Sequence, residues 1–306
     1  MTKQIEDNLK KIPVVNWFVQ LGKQIKIPGL EGMSFYDLLE LYGLGIVKGA
    51  LTTRAGGIAF SFFMAIFPFL LFILTLLPYI PIDGFQNGLF SLISEILPPK
   101  TFDAVDGVIK DILNNQYGGL LSFGFLASIF LMTNGVNAIF GGFEYSIHVD
   151  EFRNVFKSYL ISLGVSLLMV FFLIITVTLI IFYQIALTKI GWLETSGLNL
   201  FYWGRGFLFL LMIFTIVSLL FRYGTKQGKE VRFFSPGAIL TTIVSLFSFY
   251  LFGYYVVEFS KYNELYGSIG TLLILMLFVW LNAIILLLGF ELNASLYRLK
   301  HRNKTS

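Results

Sequence analysis

Residues 57–80 read GIAFSFFMAIFPFLLFILTLLPYI, twenty-four positions without a charged side chain. A hydrocarbon core about 30 Å thick is crossed by about 20 apolar residues rising 1.5 Å each. This stretch therefore reads as a transmembrane helix. Working outward, five more segments qualify: 118–143, 156–187, 204–221, 236–257 and 267–297. The third and sixth spans exceed the required length, so tilt or extension beyond the bilayer is expected. The composition agrees, with 56% hydrophobic and 13% charged residues, where soluble chains carry about 25% charged. A disordered chain, a disulfide scaffold and a soluble enzyme are excluded on these grounds. The absence of Cys also removes thiolate nucleophiles and Cys-ligated metals.

The charge of +4 does not point to nucleic acid, because the cations follow the connections between spans. Seven Lys and Arg lie in the N-terminal region, from Lys3 to Arg54. Two fall between spans two and three, four between spans four and five, and four in the tail. Lys100, Lys110, Lys189, Arg205 and Lys261 occupy the other side. By the positive-inside rule both termini are cytoplasmic. The expected fold is an all-α integral membrane protein, a six-transmembrane-helix bundle. Its parts are a cytoplasmic N-terminal segment (1–33), a membrane domain (34–297) and a basic cytoplasmic tail (298–306).

Two non-spanning regions have helical period. Phe35, Leu38, Leu39, Tyr42 and Ile46 define an amphipathic face after a Ser34–Asp37 capping box, predicting an N-terminal interfacial helix. In the external loop 81–117, an apolar helix near 85–97 ends at Pro98-Pro99. A second stretch holds Phe102, Val105, Val108, Ile109 and Ile112. Together they predict a short external helical hairpin, with Asp83, Glu95, Asp103, Asp106 and Asp111 as a solvated face.

The first span opens Leu51-Thr-Thr-Arg-Ala-Gly-Gly-Ile-Ala-Phe-Ser-Phe and continues to Phe67-Pro68. The last holds Tyr266-Gly-Ser-Ile-Gly, Phe278-Val-Trp-Leu-Asn282 and Leu288-Gly-Phe-Glu291-Leu. With Asn134–Phe140 between them, this pattern resembles the YihY/BrkB family of bacterial inner-membrane proteins, over roughly residues 35–300. The resemblance implies six spans and a multi-pass plasma (inner) membrane location. Members have carried the label ribonuclease BN and have been described as serum-resistance factors, and the family has no settled activity. The residues themselves argue against a nuclease, which needs His and carboxylates clustered around one or two ions. His148 and His301 stand in separate segments, and no P-loop, HExxH or GxSxG sequence is present. The expectation is a protein that is not an enzyme, with no catalytic residue, metal or cofactor.

Charge within a span is rare enough to mark a candidate site. Arg54 precedes span one, Glu144 ends span two and Glu291 lies in the last turns of span six. Asn137, Gly141 and Glu144 form one stripe, with Asn134 a turn earlier. Gly57, Ser61 and Ala65 form a small-residue stripe, with Ala55 and Ala59 beside it, that suits close helix packing. Pro68 should kink span one. Asn134, Asn137 and Asn282 read either as interhelical hydrogen bonds or as site residues. Glu291 reads either as a partner of Arg298 or as a site group, and Arg54 as snorkelling to head groups or as a ligand.

If these groups converge, Arg54, Gly57, Ser61, Asn134, Asn137, Glu144, Asn282 and Glu291 line a cytoplasm-facing cavity. Arg54 would then bind an anionic head group, and the two glutamates would balance charge or carry a proton. The leading expectation is a transporter, or a transport-associated protein, handling a lipid or amphipathic anion. A proton-coupled ion or small-solute transporter and a non-transporting envelope scaffold are the alternatives. Membrane lipids are the expected partners, with envelope proteins or a second copy of the chain beside them.

Overall fold

The computed structural model describes residues 20, 22–26, 34–36, 50–79, 106–107, 109–111, 115–146, 149, 151–189, 197–258 and 268–305. Six long helices dominate: α1 Ala50–Leu76, α2 Gly118–Glu144, α3 Val155–Lys189, α4 Gly197–Gly224, α5 Pro236–Glu258 and α6 Ser268–Thr305. Each contains a stretch long and apolar enough to cross a bilayer. The chain is thus a multi-pass helical membrane protein.

Local chemistry sets the helix ends. Pro236 takes the first position of α5, where a missing N–H matters least. Ser235 caps that end, its Oγ accepting the Ala238 N–H at 3.3 Å. After α4 the chain turns through the 3-10 segment Gln227–Glu230. A Cβ on Gly228 would press on the Phe221 and Arg222 carbonyls, so the close return of the backbone requires glycine there. Helix α1 continues through Pro68, which lacks the N–H that Met64 would otherwise accept. Helix α6 runs on through the basic tail to Thr305.

Neighbours in sequence are neighbours in space: α1 packs on α2, α2 on α3, α3 on α4, α4 on α5 and α5 on α6. Helix α6 closes the ring on α1, and α2 also reaches α4 and α6. The core is displaced toward the end that holds the start of α1 and the ends of α2, α4 and α6, here called the basic end. Leu51, Ala55, Ile58, Ile139, Phe140, Phe143, Leu220, Phe221, Leu287 and Phe290 are all buried there. Phe143 stacks on Phe290 with centroids 4.2 Å apart, and Phe221 meets both rings. In the opposite half, α5 contributes no buried residue and α6 only Gly270, among the described residues.

The predicted interfacial helix falls mostly on residues outside the described ones. Phe35 and Tyr36 are helical, and the Phe35 N–H donates to the Ile25 carbonyl at 2.9 Å. Most of the predicted external hairpin also lies outside them. The described part is helical at 106–107 and 109–111, and Ile109 is buried. There Lys110 pairs with Asp106 at 2.9 Å. Asp111 accepts from Asn115 and Tyr117 just before α2.

Candidate functional site

The polar groups at the basic end divide into two centres. The first joins α1, α2 and α6. The C-terminus of α2 leaves carbonyls without intrahelical donors. Tyr145 N–H serves Gly141 and Ser146 N–H serves Phe143. The Gly142 carbonyl between them accepts from Arg54 Nη1 at 2.7 Å. A cation from another helix therefore caps the negative end of α2. The other arm of the same guanidinium, Nη2, donates to Glu291 Oε1 at 2.9 Å. Ser146, just past α2, donates its hydroxyl to Glu291 Oε2 at 2.6 Å. The side chains of Arg54 and Glu291 are only 12% and 10% exposed. This is a buried, hydrogen-bonded ion pair, and both carboxylate oxygens are engaged.

The sequence left Glu291 open to Arg298 or to the site, and the structure gives it to Arg54. Glu144 does not join them. It belongs to the second centre, where its Oε1 accepts the Arg153 backbone N–H at 3.2 Å. Arg153 donates Nη1 to the Tyr223 carbonyl at 2.8 Å, binding the α2–α3 connection to the end of α4. Its guanidinium also lies 6.0 Å from the Phe140 ring centroid. Burial pushes this guanidinium below its ordinary pKa, and the charge of Glu144 opposes the shift. Lys226 and Glu151 form an exposed pair beside it.

The remaining candidates separate. Asn137 faces α3 and accepts the Ser158 and Ser162 hydroxyls at 3.2 and 3.4 Å. Asn134 takes part in no hydrogen bond among the described residues. Gly57 is exposed, and the Ser61 hydroxyl returns to its carbonyl at 2.9 Å. Of the small-residue stripe only Ala65 is buried, with Ser61 half-buried and Gly57 exposed, while Ala55, Ile58 and Ala59 beside it are all buried. Asn282 lies near mid-span, with Nδ2 donating to the Phe278 carbonyl at 3.0 Å and to Ser248 Oγ at 3.4 Å.

Ser146, Gly142 and Arg153 were not singled out by sequence reasoning as site residues. Ser146 could have been found from its place two residues beyond Glu144, at a helix end facing a buried carboxylate. A carbonyl such as that of Gly142 leaves no trace in residue type. The sequence also did not resolve the clasp between α5 and α6. Asn293 Oδ1 accepts the Gly237 N–H at 2.8 Å, and its Nδ2 donates to Ser235 Oγ at 2.9 Å. A Cβ on Gly237 would collide with the Gly289 carbonyl and one on Gly289 with Thr241 Oγ1. The two backbones touch at that crossing.

Two described cavities lie elsewhere. A space of about 10 Å³ sits under Phe290 and Tyr297. A groove of about 650 Å³ runs between α5 and α6, toward the opposite half, lined by Phe247, Leu251, Phe252, Tyr255, Phe278 and neighbours. Neither is lined by Arg54, Glu144 or Glu291. Among the described residues no group of three or more His, Asp or Glu is placed to hold a metal ion.

The family model described as virulence factor BrkB matches residues 46–306. A putative ribonuclease-like protein, YfkH of Bacillus subtilis, is 32% identical over 254 residues, covering 81% of this chain and 90% of its own length. A UPF0761 membrane protein of Aliivibrio salmonicida is 24% identical over 262 residues, covering 82% and 80%. One of Aggregatibacter aphrophilus is 23% identical over 254 residues, covering 81% and 88%. No solved structure matches the chain. The matched region takes in all six helices together with Arg54, Ser146 and Glu291, and the chain belongs to the BrkB (YihY) family of membrane proteins.

Proposed function

We propose that this protein is a transporter, or a transport-associated protein, that takes a lipid or amphipathic molecule from the bilayer into the groove between α5 and α6. The observation that carries this reading is the groove itself, about 650 Å³ with walls mainly of Phe, Leu, Ile and Tyr. Ligand pockets of small molecules fall in roughly the same size range, about 300–1,000 Å³. The basic end is sealed by the Arg54–Glu291 pair and the Phe143–Phe290 stack. Arg54 is assigned here to that seal. A head group bound at Arg54 would have to displace Glu291 and the Gly142 carbonyl. By the distribution of Lys and Arg, the basic end faces the cytoplasm, in a bacterial inner membrane. The role is not enzymatic, and the ribonuclease-like wording stays with the relative that bears it.

A second reading, proton-coupled solute transport, is favoured by one observation. Glu291 is a carboxylate at the end of a span, 8% exposed and bound to a cation on another helix. Its protonation would weaken the bond that closes the basic end. The two readings separate in native-membrane nanodiscs, with bound lipid identified by native mass spectrometry. Lipid handling predicts a stoichiometric lipid that Leu251→Trp removes and Glu291→Gln retains. Bulk lipid alone in all samples contradicts it.

A further inference from the structure

The connection from α4 to α5 carries four cations within residues 222–232: Arg222, Lys226, Lys229 and Arg232. All four are exposed. Lys226 pairs with Glu151 at 3.3 Å, while Arg222, Lys229 and Arg232 form no ion pair among the described residues. The one acid of the stretch, Glu230, accepts from the Tyr297 hydroxyl of α6. Backbone contacts keep the turn compact. The Val231 N–H donates to the Gly228 carbonyl at 3.0 Å, and Gly228 lies against the Phe221 and Arg222 carbonyls. The turn thus covers the negative end of α4 and leaves an outer surface dominated by positive charge.

Beyond Val231 the chain runs back along α4 toward the membrane interior. Ser218, one turn before Arg222, donates its hydroxyl to the Phe233 carbonyl at 3.0 Å. The rings of Phe233 and Phe234 meet Phe214 with centroids 5.7 and 5.0 Å away. Phe214 precedes Arg222 by eight residues, which on a helix is about 12 Å farther from the basic end. Phe233 packs against the edge of the core, whereas Phe234 is 73% exposed. Arg232 therefore stands between a cationic turn and an outward-facing aromatic ring set deeper. A bilayer has the same order, with charged head groups above and acyl chains below. A soluble acidic partner would meet the cations but would leave Phe234 unused.

We propose that the α4–α5 connection is a docking site for an anionic phospholipid of the leaflet at the basic end. Arg222, Lys229 and Arg232 hold its phosphate, and Phe234 lies against its acyl chains. Charge complementarity selects the head group, because three unpaired cations face no acid that could neutralise them. The site shares no residue with the α5–α6 groove, and it stands whether or not that groove takes a lipid.

The test uses the purified full-length chain in detergent, titrated with dioleoyl phosphatidylglycerol and dioleoyl phosphatidylcholine and read by native mass spectrometry. Wild type should bind the anionic lipid about tenfold or more tightly than the neutral one, since each cation near a phosphate contributes up to about fivefold. Arg222→Gln/Lys229→Gln/Arg232→Gln should bring that ratio close to one, and Arg232→Gln alone should lower it about threefold. The tail variant Arg298→Gln/Lys300→Gln/Arg302→Gln removes the same charge elsewhere and should keep the ratio. Phe234→Ser should weaken both lipids alike, by about threefold or more. Leu251→Trp, which fills the groove, should leave the preference unchanged, so the two lipid sites are read separately. Melting temperature without added lipid reports folding for every variant. Equal affinity for the two lipids in wild type overturns the site, as does a tail variant that loses the preference as fully as the loop variant. Binding indifferent to Phe234→Ser makes the loop a charged surface for an acidic partner, which overturns the lipid as its occupant.

Discussion

Arg54 on α1 bonds the Gly142 carbonyl at 2.7 Å and Glu291 of α6 at 2.9 Å, so one guanidinium ties three helices at the basic end of the bundle. Removing one member of a buried pair leaves the other charge uncompensated, at a cost of about 3–5 kcal/mol. Arg54→Gln and Glu291→Gln should each lower the melting temperature markedly. The double variant Arg54→Gln/Glu291→Gln should lose less than the sum of its singles, because neither charge is left behind. Additive losses across such a cycle would show that the pair does not couple.

Ser146→Ala removes one hydrogen bond to a charged acceptor and should cost about 1.5–3 kcal/mol. Ser146→Thr keeps the hydroxyl and should retain more stability than Ala. Thermal unfolding in detergent checks both.

The α5–α6 crossing allows a sharper contrast. Gly289→Ala would drive a methyl into Thr241 Oγ1 and Gly237→Ala one into the Gly289 carbonyl. Overpacking of this kind costs roughly 1–3 kcal/mol. Thr241→Ala added to Gly289→Ala should recover part of the loss. Among the described residues the Thr241 hydroxyl is itself buried without a hydrogen-bond partner, so its own removal should be close to neutral. Gly57→Ala, where a Cβ would meet nothing within 4 Å, should be neutral or gain about 0.5–1 kcal/mol from reduced backbone freedom.

Arg153→Ala should release the α2–α3 connection from α4, because the Tyr223 carbonyl loses its donor. Faster hydrogen exchange at residues 145–155 is the expected signature. Lys226→Ala breaks only an exposed pair and should change stability by less than about 1 kcal/mol.

The spans were legible because apolar length is itself the physical requirement for crossing a bilayer. Helix order followed for neighbours, since short connections leave α2 beside α3 and α5 beside α6. Closure of α6 on α1 is a long-range contact, and no local pattern encodes it. The same limit explains the site. Arg54 and Glu291 stand out as charges at span ends, but their pairing depends on that closure. Asn137 and Glu144 share the predicted face of α2, and that face turns to α3 and the connection before it, away from Arg54. The small-residue stripe packs only in part, through Ala65 and the flanking Ala55 and Ala59, while Gly57 is exposed. Small residues permit close approach and do not require it, and in α1 the buried side is centred on Ala55, Ile58 and Ala59, one edge of the stripe.

If the protein moves an amphiphile through the groove between α5 and α6, lipid flux in proteoliposomes will report it. Phosphatidylglycerol with a fluorescent acyl chain label is bleached by external dithionite, so transbilayer movement appears as loss of the protected inner fraction. Wild type should give loss faster than protein-free vesicles, and Leu251→Trp, which fills the groove but leaves the Arg54–Glu291 seal intact, should give protein-free rates. Wild type indistinguishable from protein-free vesicles, or Leu251→Trp as fast as wild type, would contradict it.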